Sequence, residues 1–173
     1  RGFNCAQAIA CTYADLVGAD EKTMFAATEG LGLGMGGMQG TCGALSGACV
    51  ICGLANSCAD LEAPTSKAAT YKVSRELVRR FAEVSGATRC ADLKGVETGQ
   101  VLCSCPQCIE NAARSLEDVG FADAEEPPRP VPLGTRRGQF SPSESPVIAP
   151  RGAILGLRVY VHEESIPHTR GEQ

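Results

Sequence analysis

The chain has 173 residues, enough for one domain with a real core, and its 43% hydrophobic content is ordinary for a soluble globular protein. A net charge of −4, with no basic stripe interleaved with aromatics, does not favour nucleic acid. No uninterrupted apolar run approaches the ~20 residues that a membrane span needs.

Aromatic residues are scarce, with no Trp, three Tyr and five Phe. A core poor in aromatics and rich in Ala, Leu and Val suits closely packed helices better than a β-sandwich. Residues 4–17 read as a first helix, with Asn4 as its cap and Gly18 as its stop. Asp20 caps a second helix to about Glu29, with Met24 and Phe25 facing inward. The stretch 30–40, GLGLGMGGMQG, holds too many glycines for a regular helix and reads as a tight loop with exposed backbone. Thr41 then offers a cap for CGALSGACVICGLAN, where Gly43, Ala44, Gly47 and Ala48 let another helix approach closely. That approach can come from within the chain or from a second copy in a homodimer.

After Pro64, Thr65 or Ser66 starts a long helix to Ser85, ended by Gly86. Its positions Val73, Leu77, Val78, Phe81 and Val84 follow a helical period, with Arg75, Glu76, Arg79, Arg80 and Glu83 largely outside. Cys90 opens a short turn, and a last helix runs from about Pro106 to Val119. Beyond Phe121 the chain changes character: eight of its ten prolines lie there, and Cys and Lys vanish. The expected architecture is therefore all-α: a compact bundle of about five helices with a Gly-rich loop before the central one, over residues 1–120. Residues 121–173 read as a Pro-rich disordered tail, in which 153–161 is an apolar patch. Arg1 in place of Met, with a helix beginning at once, reads as a fragment or a processed product.

Ten cysteines are the anomaly of this composition. Cys11, Cys49 and Cys52 fall in apolar helical segments, where a free thiol behaves as a small hydrophobe. Cys42 stands at a helix start, where unpaired N–H groups and the helix dipole favour the thiolate. Cys5 has the same placement near the first helix. Cys90 is followed by Cys103, Cys105 and Cys108, whose C-x-C and C-x-x-C spacings can place several sulfurs on one ion, as in zinc or iron–sulfur sites. Cys105-Pro106-Gln107-Cys108 also matches the redox C-x-x-C pattern, without the strands of a thioredoxin context. The glycine run 32–37 has no preceding strand and no following Walker lysine, which argues against a nucleotide site. His162 and His168 lie in the tail, which leaves the helical part without a histidine for a Cys–His or Ser–His arrangement.

Over residues 2–119 the sequence resembles the C-GCAxxG-C-C family of redox-active proteins, small bacterial and archaeal proteins defined by four cysteines. The residues that carry the likeness are GFNCAQAI, GMGGMQGTCGALSG, CADLKG and CPQCIENAARSLED. Position by position, the resemblance implies Cys5, Cys42, Cys90 and Cys105 as the site. Cys105 fits best because Ile109 then takes the apolar place behind it, and Cys108 is the alternative. A related module in a haem-containing cytochrome implies that such cysteines hold an iron–sulfur cluster.

Three chemistries follow. Cys5, Cys42, Cys90 and Cys105 can bind an iron–sulfur cluster for electron transfer with a redox partner protein, the Gly-rich loop donating N–H groups to cluster sulfides. A cofactor-free dithiol protein would use Cys42 as its catalytic, attacking thiolate, with Cys5, Cys90 or Cys105 resolving. A structural zinc site would use Cys90, Cys103, Cys105 and Cys108. The chain reads as cytoplasmic, with neither nucleic acid nor a membrane span among its partners.

Overall fold

The computed structural model describes residues 2–121; the expected tail, with its prolines, both histidines and the apolar patch 153–161, lies outside the described residues. Among the described residues there is no β-strand, only an isolated antiparallel bridge between Thr41 and Arg89. Six helices carry the fold.

Helix α1, Cys5–Thr12, starts from a reciprocal cap in which Asn4 accepts from the Ala6 and Gln7 backbones and Gln7 accepts from the Asn4 N–H. It is shorter than the expected 4–17. Tyr13 leaves helical geometry and buries its ring, with its hydroxyl donating to Glu117 Oε1 at 2.8 Å. A 3₁₀ turn, Asp15–Val17, continues to Gly18, whose left-handed conformation ends the segment as its sequence implied. Helix α2, Glu21–Thr28, is capped by Asp20, which accepts from Thr23 N and Thr23 Oγ1 at 2.8 Å each. Met24 is buried, whereas Phe25 is only half-buried and meets Phe3 edge to face at 4.9 Å.

Helix α3, Gly43–Asn56, is the central element. Its small residues are used within the chain: a methyl group on Gly47 would lie 2.7 Å from the Ala6 carbonyl oxygen, so α1 and α3 pack backbone to backbone. Helix α4, Lys67–Ser85, lays Leu77 and Phe81 fully into the core, with Val73 and Val78 at its margin. Val84 does not face inward as its spacing implied; it is 62% exposed. In the last turn of α4 Ser85 is turned in instead, accepting from Asn111 Nδ2 at 3.0 Å. Helix α5, Cys90–Lys94, is a single turn ended by Gly95. Helix α6, Cys105–Leu116, begins with a second reciprocal cap, Ser104 with Gln107, and buries Cys108, Ile109, Ala112 and Leu116. A π turn, Glu117–Phe121, follows it in place of helix to Val119. No helix among the described residues is long and apolar enough to cross a membrane.

The Tyr13–Glu117 bond ties the first helix to the last. Burial and the carboxylate acceptor raise the Tyr13 phenol above its ordinary value of 10. A group whose folded value is raised contributes stability that is complete below its unfolded value and is lost as pH rises through the folded one. Thermal stability is therefore expected to fall above about pH 10, the unperturbed tyrosine value. Tyr13→Phe should lose about 2 kcal/mol at neutral pH, the size of a hydrogen bond to a charged group. Its alkaline decline should be shallower, and melting curves of both proteins across pH 7–11 read the difference.

Candidate cysteine redox site

Four helices begin at one end of the molecule, and each brings a cysteine. Cys5 is the first residue of α1, Cys90 of α5 and Cys105 of α6, while Cys42 is the N-cap of α3. Thr41 is thus not the cap its position implied; it pairs with Arg89, and Cys42 takes the boundary itself.

Backbone hydrogen bonds assemble this end of the fold. Cys42 N donates to Thr88 O at 2.8 Å, Cys90 N to Gly40 O at 3.0 Å and Ala91 N to Met38 O at 2.8 Å. These stitch the Gly-rich loop to the start of α5. Leu102 N and Cys103 N both donate to Leu93 O, at 3.0 and 3.2 Å, which brings the start of α6 against the end of α5. Asn4 Nδ2 donates to Glu29 O at 2.9 Å and anchors the start of α1 beside the loop.

The loop fits against the sulfurs with little space left. A methyl group on Gly43 would lie 2.6 Å from Cys5 Sγ, and one on Gly34 would lie 2.6 Å from Cys90 Cβ. Its path demands left-handed backbone at Leu33, Met35 and Met38 as well as at Gly34 and Gly36. For residues with a side chain this conformation costs roughly 1–2 kcal/mol each, and such strain concentrates at functional sites. The Leu33 amide of this loop and the Ala44 amide of α3 favour the Cys5 thiolate, and the Leu45 and Ala44 amides favour that of Cys42.

The sulfurs lie within one another's electrostatic field. Burial and then Cys42 raise the Cys5 thiol, with Cys105 adding to the effect. Burial, Cys42, Cys5 and Cys105 together push Cys90 up to about 11. Cys42 moves the other way. The neighbouring Cys108 side chain, the Leu45 and Ala44 amides and Lys94 together outweigh burial to lower it. Cys108, beside Cys42 and buried, is raised, and its thiol donates to Cys103 O at 3.7 Å.

The structure thus brings together Cys5, Cys42, Cys90 and Cys105, with Cys108 behind Cys42. Cys105 is exposed, whereas Cys42, Cys90 and Cys108 are buried. Cys103, the further member of the C-x-C, is buried and turned to Asn111, whose Nδ2 donates to its sulfur at 3.7 Å. Among the described residues no three His, Cys, Asp or Glu side chains are grouped to hold one metal ion. Cys49 and Cys52 stay apart in α3, where burial raises both, Cys52 to about 12, as inert packing thiols would be. Cys58 lies outside the cluster in the loop before α4. Ser66 Oγ at 3.4 Å and the amides of Asp60, Thr65 and Ser66 lower its thiol to about 6.

Lys94 was not among the expected site residues. It closes α5 and points its ammonium at the cysteines, donating to Cys103 O at 2.8 Å and lying 3.7 Å from Cys108 Sγ. The spacing Cys90 to Lys94 puts both on one face of a helical turn, a signal that the sequence carried but that a solvent-exposed lysine would give equally.

The fold and site define a class: small helical proteins that gather cysteines from several helix starts beneath a strained glycine loop. Over residues 3–119 the chain matches the family described as "Putative redox-active protein (C_GCAxxG_C_C)", and it belongs to that family. Neither a curated protein nor a solved structure matches it.

Proposed function

We propose that this redox-active protein is a cytoplasmic electron carrier, in which Cys5, Cys42, Cys90 and Cys105 hold an iron–sulfur cluster and exchange electrons with a partner protein. The observation that carries the reading is the convergence of four cysteines from four helix starts, with backbone N–H groups already aimed at two of the sulfurs. The donor set fits: four thiolates are the usual ligands of such clusters, and N–H bonds to sulfur and exclusion of water tune their potential. Four sulfurs in one another's field resist ionising together, and iron among them removes that obstacle. A cluster spreads its irons over more space than one ion occupies, so its ligands need not crowd about a single point. The cluster would supply one-electron chemistry. The chain's own groups hold the sulfurs, donate hydrogen bonds to them and leave Cys105 at the surface facing a partner.

The Cys108–Cys42 contact supports a second reading, a cofactor-free dithiol protein. In it Cys42 and Cys108 give up two electrons and two protons to a disulfide substrate, which leaves as two thiols, while the two sulfurs join. Because Cys42 is 2% exposed, an outside disulfide would first meet Cys105. A zinc site at Cys90, Cys103, Cys105 and Cys108 gains no such support, since Cys103 is engaged by Asn111.

Metal content and the visible spectrum of protein purified and reconstituted without oxygen separate the readings. The cluster reading expects iron with acid-labile sulfide in the wild type, at least tenfold less in Cys42→Ala, and an unchanged amount in Cys49→Ala. Wild-type protein that takes up no iron, with Cys42 and Cys108 oxidising as a pair, would establish the dithiol reading instead.

A further inference from the structure

Charge is spread unevenly over residues 2–121. Of their nine Lys and Arg, five lie in α4, which holds only two of their thirteen Asp and Glu. The remaining residues carry four cations against eleven carboxylates, so α4 is a basic element set in an acidic surface. Along its outer side Lys67, Tyr71, Arg75 and Arg79 follow one another at intervals of four, with Lys72 beside them, and form one ridge. All five are exposed, Tyr71 at 59%.

The fold satisfies only part of this charge. Arg79 and Arg80 hold Glu76, at 2.6 and 2.8 Å, while Arg79 also pairs with Glu83 and Arg80 with Asp118. Glu76, one turn on from Lys72, is thus already taken. Lys67, Lys72 and Arg75 have no carboxylate in ion-pair range among the described residues. Arg75 stands three residues from Lys72 and four from Arg79, and like charges at such spacing repel. Leu77 and Phe81, buried on the other side, hold the helix in place against that repulsion. A negative surface laid on the ridge would relieve it. Exposed Tyr and Arg together are also the residues in which binding energy concentrates at protein interfaces.

The size of the ridge selects among anions. From Lys67 to Arg79 it runs about 18 Å, at 1.5 Å per residue. A longer nucleic-acid strand, or the plane of an anionic membrane, would carry its charge over the acidic surroundings and be repelled there. Screening limits the reach of surface charges to about 8 Å at physiological salt, so a compact patch of carboxylates would meet the ridge alone. We propose that the outer ridge of α4 docks an acidic surface of a partner protein, with Lys67, Lys72 and Arg75 as the free cations and Tyr71 as the aromatic anchor. This docking does not depend on what the cysteines hold.

The probe is a labelled poly-glutamate chain of about 20 residues, titrated with the full chain at low salt and read by fluorescence anisotropy. The wild type should bind it. Lys72→Ser/Arg75→Ser should bind about tenfold more weakly, and Tyr71→Ala several-fold more weakly. Lys22→Ser/Arg114→Ser removes the same charge from exposed positions elsewhere and should stay within about twofold of the wild type. Circular dichroism checks that each variant keeps its helices. A wild type that ignores poly-glutamate, or equal weakening in the two double variants, would overturn the proposal. So would tighter binding of single-stranded DNA or phosphatidylserine vesicles that Lys72→Ser/Arg75→Ser abolishes, since the ridge would then serve a nucleic acid or a membrane. Poly-glutamate binding that appears only in Asp123→Asn/Glu125→Gln/Glu126→Gln would overturn it in favour of the chain's own acidic segment as the occupant.

Discussion

Replacing Gly34 with alanine is expected to damage the cysteine site as much as removal of one of its sulfurs. Gly34 sits at φ +56, a conformation costing a residue with a Cβ roughly 1–2 kcal/mol. The new methyl group would also lie 2.6 Å from Cys90 Cβ and 3.0 Å from the Gly40 carbonyl oxygen, neither of which is the free end of a flexible chain. Overpacking of this kind costs about 1–3 kcal/mol, and it is relieved most cheaply by lifting the loop. Lifting it withdraws the Leu33 amide from Cys5 and breaks the bond from Cys90 N to Gly40 O, so two of the proposed ligands lose their support at once. Iron uptake on reconstitution should fall at least tenfold, with helix content unchanged because the loop contributes no large side chain to the core. Gly36→Ala is the control: its φ is +84, but nothing lies within 4 Å of the added methyl group. If Gly34→Ala and Gly36→Ala load equally, the close approach of loop to cysteine has no part in binding.

The largest effect on stability is expected at Phe81. Its ring is fully buried where α4 meets the rest of the core. Truncation to alanine removes the apolar contact and leaves a cavity, which together typically cost ~3–5 kcal/mol. Small domains hold only about 5–15 kcal/mol in all, so Phe81→Ala should sit near the edge of unfolding at physiological temperature. Urea denaturation should show a much lower midpoint with an unchanged slope. Val84→Ala, one turn further along the same helix, should stay within ~0.5 kcal/mol of the wild type because its side chain lies in solvent. Equal losses at the two positions would mean that α4 packs as its bare periodicity implied, with residue 84 inward.

Much of the helical order was legible in the residues because local rules set it. Asn4 and Asp20 cap, while Gly18 and Gly86 stop, and each works through its own backbone or side chain. What escaped was decided at a distance. The first helix breaks at Tyr13 because a glutamate far along the chain accepts its hydroxyl. Val84 keeps the right period, yet the inward place in that turn is taken by Ser85, held by Asn111 from the last helix. At the site, Cys5 and Cys42 could be placed at helix starts from sequence alone, whereas Cys90 read as the opening of a turn, and nothing local says that four starts meet. Lys94 shows the same limit: its neighbours are brought in by the fold of residues 99–105, and no motif announces them.

The four converging cysteines come from segments spread across almost all of the described chain, from its first helix to its last. A ligand gripping all four would act as a clasp closing three successive loops. Closing long loops restricts the unfolded ensemble most, and whatever binds only the assembled site adds its affinity to the folded state. Loading would therefore turn a marginal bundle into one that opens only after the clasp is released. Its lifetime in the cell would then follow the supply of what it carries, and starved of that cargo it would be left to proteases.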